Sequence, residues 1–282
     1  MKFLQSFIQT TRLLGVSMKS YVGFFKMAFK GELQYRAKAI SGVVTQLFWG
    51  FMYVYLYTAF MGGKVIDGFS IPQMATYIWL GQAFFAMRYI ALPQRSGAEI
   101  TNGNVCYKFV RPVNIYDQWY AEHLGQKVSS TLLRFAPIVI ITMFLPANIG
   151  FSLPVSFLAF VLFIVSLVVG CLMAVSLSML AIFITFKTLS PKGSLVIVQT
   201  ITGLLGGMYI PIPLMPAGVQ KVLMWLPFRY VSDLPFRIYI GNVGTIDALV
   251  QIGISLAWLV AIILLGKLLI KRSLKSTVIQ GG

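Results

Sequence analysis

The chain has 282 residues, 58% of them hydrophobic and only 11% charged, whereas a soluble domain is about a quarter charged. So little charge cannot clothe a water-facing surface, which excludes an ordinary soluble globular protein. The formal net charge of +16 would suggest nucleic acid in a soluble chain. Here the basic residues stand between apolar blocks and form no patch interleaved with aromatics, so they are read as determinants of membrane orientation and no nucleic-acid partner is expected.

The opening MKFLQSFIQTTRLLGVSMKS lacks a continuous apolar core and a small-residue cleavage site, so no signal peptide is expected and insertion falls to the first span. Next, MKSYVGFFKMAFKGELQYRAK reads as an amphipathic helix. Met18, Val22, Phe25, Phe29 and Leu33 fall on one narrow stripe. Lys19, Lys26 and Lys30 follow its edge, where long stems can reach toward water. That pattern suits a helix lying in the inner membrane interface.

Six apolar segments are expected to cross the roughly 30 Å of bilayer hydrocarbon, at approximately 40–61, 73–92, 127–146, 155–186, 194–210 and 247–270. The predicted fold is an all-α polytopic membrane protein with a single transmembrane domain over 1–282. It divides into an interfacial region (1–39), a six-span bundle (40–270) and a cytoplasmic tail (271–282). With both termini cytoplasmic, only Lys64, Lys221, Arg229 and Arg237 of the 23 Lys and Arg lie outside. The inner set includes Arg88, Arg95, Lys108 and Arg111 after the second span, and Lys127 and Arg134 at the start of the third. Arg134 either snorkels inward or faces a path through the bundle; the sequence leaves both open. In the fourth segment Ser166, Gly170, Ala174 and Ser178 recur every four residues, a small-residue stripe that admits a close helix, from this chain or from another.

Between the fifth and sixth segments, GGMYIPIPLMPAGVQKVLMWLPFRY is apolar yet carries Pro211, Pro213, Pro216 and Pro227. Proline removes a backbone donor and clashes with the preceding turn, so the prolines are expected to end span five near Tyr209. Irregular backbone at membrane depth survives only inside protein or beside a watery cavity. The expectation is an extracytoplasmic re-entrant helical hairpin capping an exit, containing Met208, Tyr209, Pro211, Pro213, Pro216, Trp225, Pro227 and Tyr230. Trp225 and Tyr230 are placed at the interface, and Met215, Gln220 and Arg229 are expected to be accessible from outside.

Chemistry is sparse. The seven carboxylates (Glu32, Asp67, Glu99, Asp117, Glu122, Asp233, Asp247) are read as lying in loops or at span ends, which leaves no acid or base for intramembrane catalysis. The single His123 excludes a histidine-based metal cluster, and Cys106 and Cys171 make no ligand spacing. No G-x-x-x-x-G-K-[ST] occurs, so ATP-driven work would need another chain.

Three features occur together: the interfacial helix, the polar segment AEITNGNVCYKFVRPVNIYDQWYAE after span two, and the proline-broken stretch. Together they resemble the membrane subunit of six-span ABC type 2 exporters, and the polar segment is most similar to bacterial permeases that often work as paired non-identical subunits. The resemblance implies a cytoplasmic coupling helix around 94–104, with Gln94, Arg95, Glu99, Asn102, Gly103, Arg111 and Pro112 contacting an ATPase. It further implies two ATPase copies holding ATP and Mg, no cofactor on this chain, and a second permease chain, identical or paralogous. The setting it implies is the bacterial cytoplasmic membrane. The competing functions are an ion-coupled secondary transporter and a non-transporting sensor or assembly subunit. Sparse fixed charge in the spans favours amphipathic or apolar cargo over a polyanion.

Overall fold

The computed structural model describes residues 18–92, 94–108 and 113–276. The flanking stretches 1–17 and 277–282 lie outside the described residues, as do Arg111 and Pro112. In order come α1 (Met18–Leu33), α2 (Arg36–Met61), α3 (Ile71–Ala83), α4 (Phe85–Arg88), α5 (Gln94–Thr101), α6 (Ile115–Met143), α7 (Phe157–Thr188), α8 (Pro191–Leu205), α9 (Ala217–Leu223), α10 (Asp233–Tyr239) and α11 (Thr245–Ser276). Short 3-10 turns occur at Asn104–Lys108, Ile212–Leu214 and Pro227–Val231. Among the described residues the only extended pairing is one isolated bridge, Ile66 with Phe69.

Among the described residues, four helices are long and apolar enough to cross a membrane: α2, α6, α7 and α11. Their ends are set by local chemistry. Asn114 caps α6 by accepting from the backbone of Tyr116 and Asp117, so that helix starts well before the predicted third span. Its polar first half, IYDQWYAEHLGQK, continues the apolar part in one helix. Ser156 caps α7 through Ala159 N–H. The helix closes on Leu189, in left-handed conformation at φ 51°, and Ser190 with Pro191 starts α8 directly. FKTLSPKG is thus a tight helix–helix turn.

The other two predicted spans are shorter as helices. The second divides at Phe84 into α3, of 13 residues, and α4, of 4, and the chain is non-helical from Tyr89 to Leu92. Leu92 precedes Pro93, which disfavours helical geometry there. The fifth, α8, has 15 residues and ends at Leu205. Gly206 N–H caps it on Thr202 O, and Gly207 turns left-handed at φ 73°. Glycines therefore stop the helix before the prolines are reached.

α1 lies along the first half of α6. Gly125 sits directly beneath the Phe25 carbonyl, Asn114 N–H donates to the Tyr21 hydroxyl at 3.4 Å, and the Ser130 hydroxyl donates to Glu32 at 2.8 Å. The amphipathic helix is real, and α1 has no fully buried residue. Lys26 and Lys30 share its surface with the stacked Phe25 and Phe29 rings, 5.9 Å apart.

Residues 206–241 fold back against α7 and α11. Gly241 meets Val155 just before α7 begins, Tyr239 packs edge-on to Phe163, and the carbonyls of Tyr230 and Val231 rest on Gly170. Along α11, the Trp258 indole donates to Trp225 O at 3.0 Å and Gln251 meets the Tyr230 hydroxyl at 3.1 Å. Ser166, Gly170, Ala174 and Ser178 are all buried, and at Gly170 the small-residue stripe is used within the chain.

A Cβ at Gly170 would stand 2.7 Å from Val231 O and 2.8 Å from Tyr230 O. Gly170→Val should therefore lower the thermal midpoint of the detergent-solubilised protein, since overpacking costs ~1–3 kcal/mol. Gly253→Ala, where nothing lies within 4 Å, should leave it unchanged or slightly raised. Equal midpoints for the two variants would show that the 230–231 backbone does not rest on α7.

Candidate functional site

The segment 94–108 folds as α5 and a 3-10 turn around Glu99. Glu99 Oε1 pairs with Arg95 Nε at 3.2 Å and Oε2 with Lys108 Nζ at 2.8 Å. The Trp119 indole of α6 donates to Oε2 at 3.0 Å, and Lys108 Nζ stands 5.1 Å over the Trp119 ring. Ile100 and Val105 are buried with Trp119, Met179 and Ile182, while Gly97 packs on Leu92 and Pro191. The segment is thus seated across one end of the bundle, touching α6, α7 and the first residue of α8. Its outward face consists of Arg95, Ala98, Thr101, Asn102, Gly103, Asn104 and Tyr107. Glu99, expected among the outward residues, faces inward and anchors the segment. The Gln94 side chain lies outside the described residues.

A second polar constellation occupies the opposite half. Asp233 is 0% exposed. Its Oδ1 accepts from Arg237 Nε at 3.1 Å and from the Tyr77 hydroxyl at 2.9 Å, and its Oδ2 pairs with Arg229 at 3.3 Å. Arg237 Nη1 also reaches Asp67 at 3.0 Å and Asn242 Oδ1 at 2.9 Å. Burial alone would lower the Arg237 guanidinium; Asp233, Tyr77 and Asp67 outweigh it and hold its pKa above the ordinary value. Arg229 and Arg237, placed by sequence among accessible outer charges, are buried. Asp233 lies between the fifth and sixth predicted segments, as expected, but is fully buried; Glu122 is buried within α6 and accepts from Gln118 at 2.8 Å.

Between these constellations the unwound stretch after α4 is gripped by side chains. Lys127 Nζ donates to Met87 O at 3.1 Å and to Tyr89 O at 2.9 Å, and Gln199 donates to Ile90 O. Lys127 is therefore inside the bundle, not at its edge. The same correction applies to Arg88, expected in a loop. It closes α4, and its Nη2 donates to Gly207 O at 3.1 Å. Gly81 makes room for that guanidinium, since a Cβ there would lie 2.6 Å from Nη1. Arg134 takes a different place, with its guanidinium against Gly42 of α2.

Of the predicted hairpin residues, Met208 and Pro211 line a pocket beside Arg88 with Tyr53, Tyr57, Tyr77 and Gln82. Tyr57 donates to Tyr209 O at 3.1 Å. Pro216 starts α9 and Pro227 starts the following 3-10 turn, and Pro213 is buried within the Ile212–Leu214 turn. Trp225 is 71% exposed. Tyr230 is not interfacial: it is 1% exposed, with its hydroxyl donating to Met224 O at 2.9 Å. The i,i+4 spacing of Arg229, Asp233 and Arg237 was the one sequence signal for the buried cluster. Among the described residues, no three His, Cys, Asp or Glu side chains gather to hold a metal ion.

A search of curated proteins returns no match. A family model described as "ABC-2 family transporter protein" matches residues 46–281, which takes in every helix from the middle of α2 onward. With that match and four membrane-length helices, the chain belongs to the ABC-2 transporter family and is a multi-pass membrane subunit of an ATP-binding-cassette exporter.

Proposed function

We propose that this permease couples to its ATPase through the outward face of 94–108 and releases cargo past the 206–241 segment. The supporting observation is the seating of 94–108 by Glu99, Trp119 and Lys108 across the ends of α6, α7 and α8. A push on the outward residues Asn102, Gly103 and Tyr107 would then bear on three helices at once. In this reading the working unit pairs two permease chains, identical or paralogous, with two ATPase copies that hold the ATP and Mg. This chain itself binds no cofactor.

The proposed topology has six crossings within a single transmembrane domain and both termini on the cytoplasmic side of a bacterial membrane. The short α3–α4 and α8 supply the second and fifth crossings. The 206–241 segment is then a re-entrant hairpin on the outer side. Its close register with α7, from Val155 to Gly170, supports this, because Gly170 lies well inside a 32-residue helix.

Co-reconstitution with a candidate partner ATPase of the ATP-binding-cassette class tests the coupling. The permease should stimulate ATP hydrolysis, and vanadate-sensitive export should accompany it. Asn102→Trp and Tyr107→Ala should cut that stimulation about tenfold, the equivalent of ~1.4 kcal/mol, with the thermal midpoint unchanged. Glu99→Ala should lower both, because it leaves Lys108 and Arg95 without their carboxylate. Full stimulation with both face variants would move the contact to the 186–193 turn.

Topology is checked separately by cysteine labelling in a background lacking Cys171. Native Cys106 should react with an impermeant maleimide only once the cytoplasmic face is opened. Lys221→Cys, on the exposed side of α9, should label from outside in intact cells, whereas Arg229→Cys should stay shielded. Cytoplasmic labelling at 221 would mean that the segment crosses.

A further inference from the structure

The pocket beside Arg88 contains more hydrogen-bonding capacity than the protein uses. A guanidinium has five N–H donors. Among the described residues, the one hydrogen bond Arg88 makes through its side chain is to Gly207 O, and its Nε, sealed from solvent, meets no partner. The Tyr53 and Gln82 side chains face the same pocket without a hydrogen bond of their own among the described residues. Tyr57 and Tyr77 line it too, but their hydroxyls are committed to Tyr209 O and Asp233.

Local charge is also unbalanced. Arg229 and Arg237 share Asp233, and Arg237 reaches Asp67, so two guanidiniums already meet two carboxylates. Arg88, which also feels Asp233 electrostatically, adds a third cation. A cation at this depth is costly without a counter-charge, and among the described residues no carboxylate forms an ion pair with Arg88. An aromatic ladder leads away from the pocket along α2. Tyr57 stacks on Tyr53 and Tyr53 on Trp49, each at 5.7 Å, and Trp49 is 41% exposed.

We propose that this pocket binds the single acidic headgroup, carboxylate or phosphate, of an amphipathic molecule whose apolar body lies along Trp49 and Tyr53. Arg88 provides charge-assisted donors, Tyr53 and Gln82 complete the headgroup shell, and the ladder takes the chain. The inference rests on the exporter reading and deepens it, refining the expectation of amphipathic cargo to acidic amphipathic cargo.

The test measures binding in the absence of any ATPase, so that failure of coupling and failure of this site register separately. Labelled dodecyl phosphate is retained on the protein in phosphatidylcholine nanodiscs and counted above empty nanodiscs. Dodecanoate should displace it and dodecyltrimethylammonium should not. Arg88→Gln should weaken retention about tenfold or more, and Arg88→Lys less, because lysine keeps the charge without the planar fork. Tyr53→Phe and Gln82→Leu leave the Gly207 bond untouched and should each weaken retention by about threefold to tenfold. They decide the matter if Arg88→Gln fails to fold. Retention equal to wild type in both Tyr53→Phe and Gln82→Leu, or displacement by the trimethylammonium probe, would overturn the proposal. Exchanging part of the phosphatidylcholine for phosphatidylglycerol then identifies the source. Loss of the probe assigns the headgroup to a bilayer lipid, and its persistence assigns it to a dissolved amphiphile, the acidic recognition standing in either case.

Discussion

Hydrocarbon offers no hydrogen bonds, so a helix that stops inside a membrane must have its freed carbonyls met by other parts of the protein. Most of the polar anatomy of this chain follows from that constraint. Where the chain unwinds after α4, Lys127 takes the carbonyls of Met87 and Tyr89 and Gln199 takes that of Ile90. Where α8 ends, Arg88 takes Gly207 and Tyr57 takes Tyr209. Further along, Trp258 meets Trp225 and Gln73 meets Ile240. The two breaks are thus stitched to each other and to continuous helices, and each stitch joins elements far apart in sequence. A helix can be interrupted here because the interruption is held.

The long elements were legible because an apolar run of that length has few other uses. The amphipathic helix was legible from the angular spacing of Phe25 and Phe29, and the broken segment from its prolines. What escaped were charges whose partners lie far away along the chain. Lys127 binds carbonyls 38 and 40 residues distant, and Arg88 one at 119. A cation a few residues from an apolar run looks like a flank, and hydropathy cannot distinguish a flank from a clamp. Helix α6 was cut short for the same reason: its first half is polar because it packs against α1 and the 94–108 segment, not because it faces water. Glu99 shows the converse. Its residue type and position marked the right segment, but direction is a tertiary property, and Trp119 turned it inward.

The Arg229–Asp233–Arg237 cluster serves geometry more than stability. Buried ion pairs give back much of their attraction as lost hydration. An unpaired Asp233, at 0% exposure, would be far worse than the pair, so the short α10 has one acceptable placement against Tyr77. The same logic explains why Gly170 and Gly81 are glycines: one admits a passing backbone, the other a guanidinium.

Helix α8, at 15 residues, rises about 22 Å, less than the roughly 30 Å of a typical hydrocarbon layer. Val196, Ile197, Ile201 and Leu204 leave its outer surface uncovered, so whatever abuts it meets a short apolar wall. In the proposed six-crossing topology, lipid on that flank thins locally, at a modest free-energy cost for each ångström of mismatch. Acyl-chain length in the surrounding membrane therefore becomes a mechanical variable for this protein, pressing on the one helix whose far end, at Gly206 and Gly207, joins the broken segment.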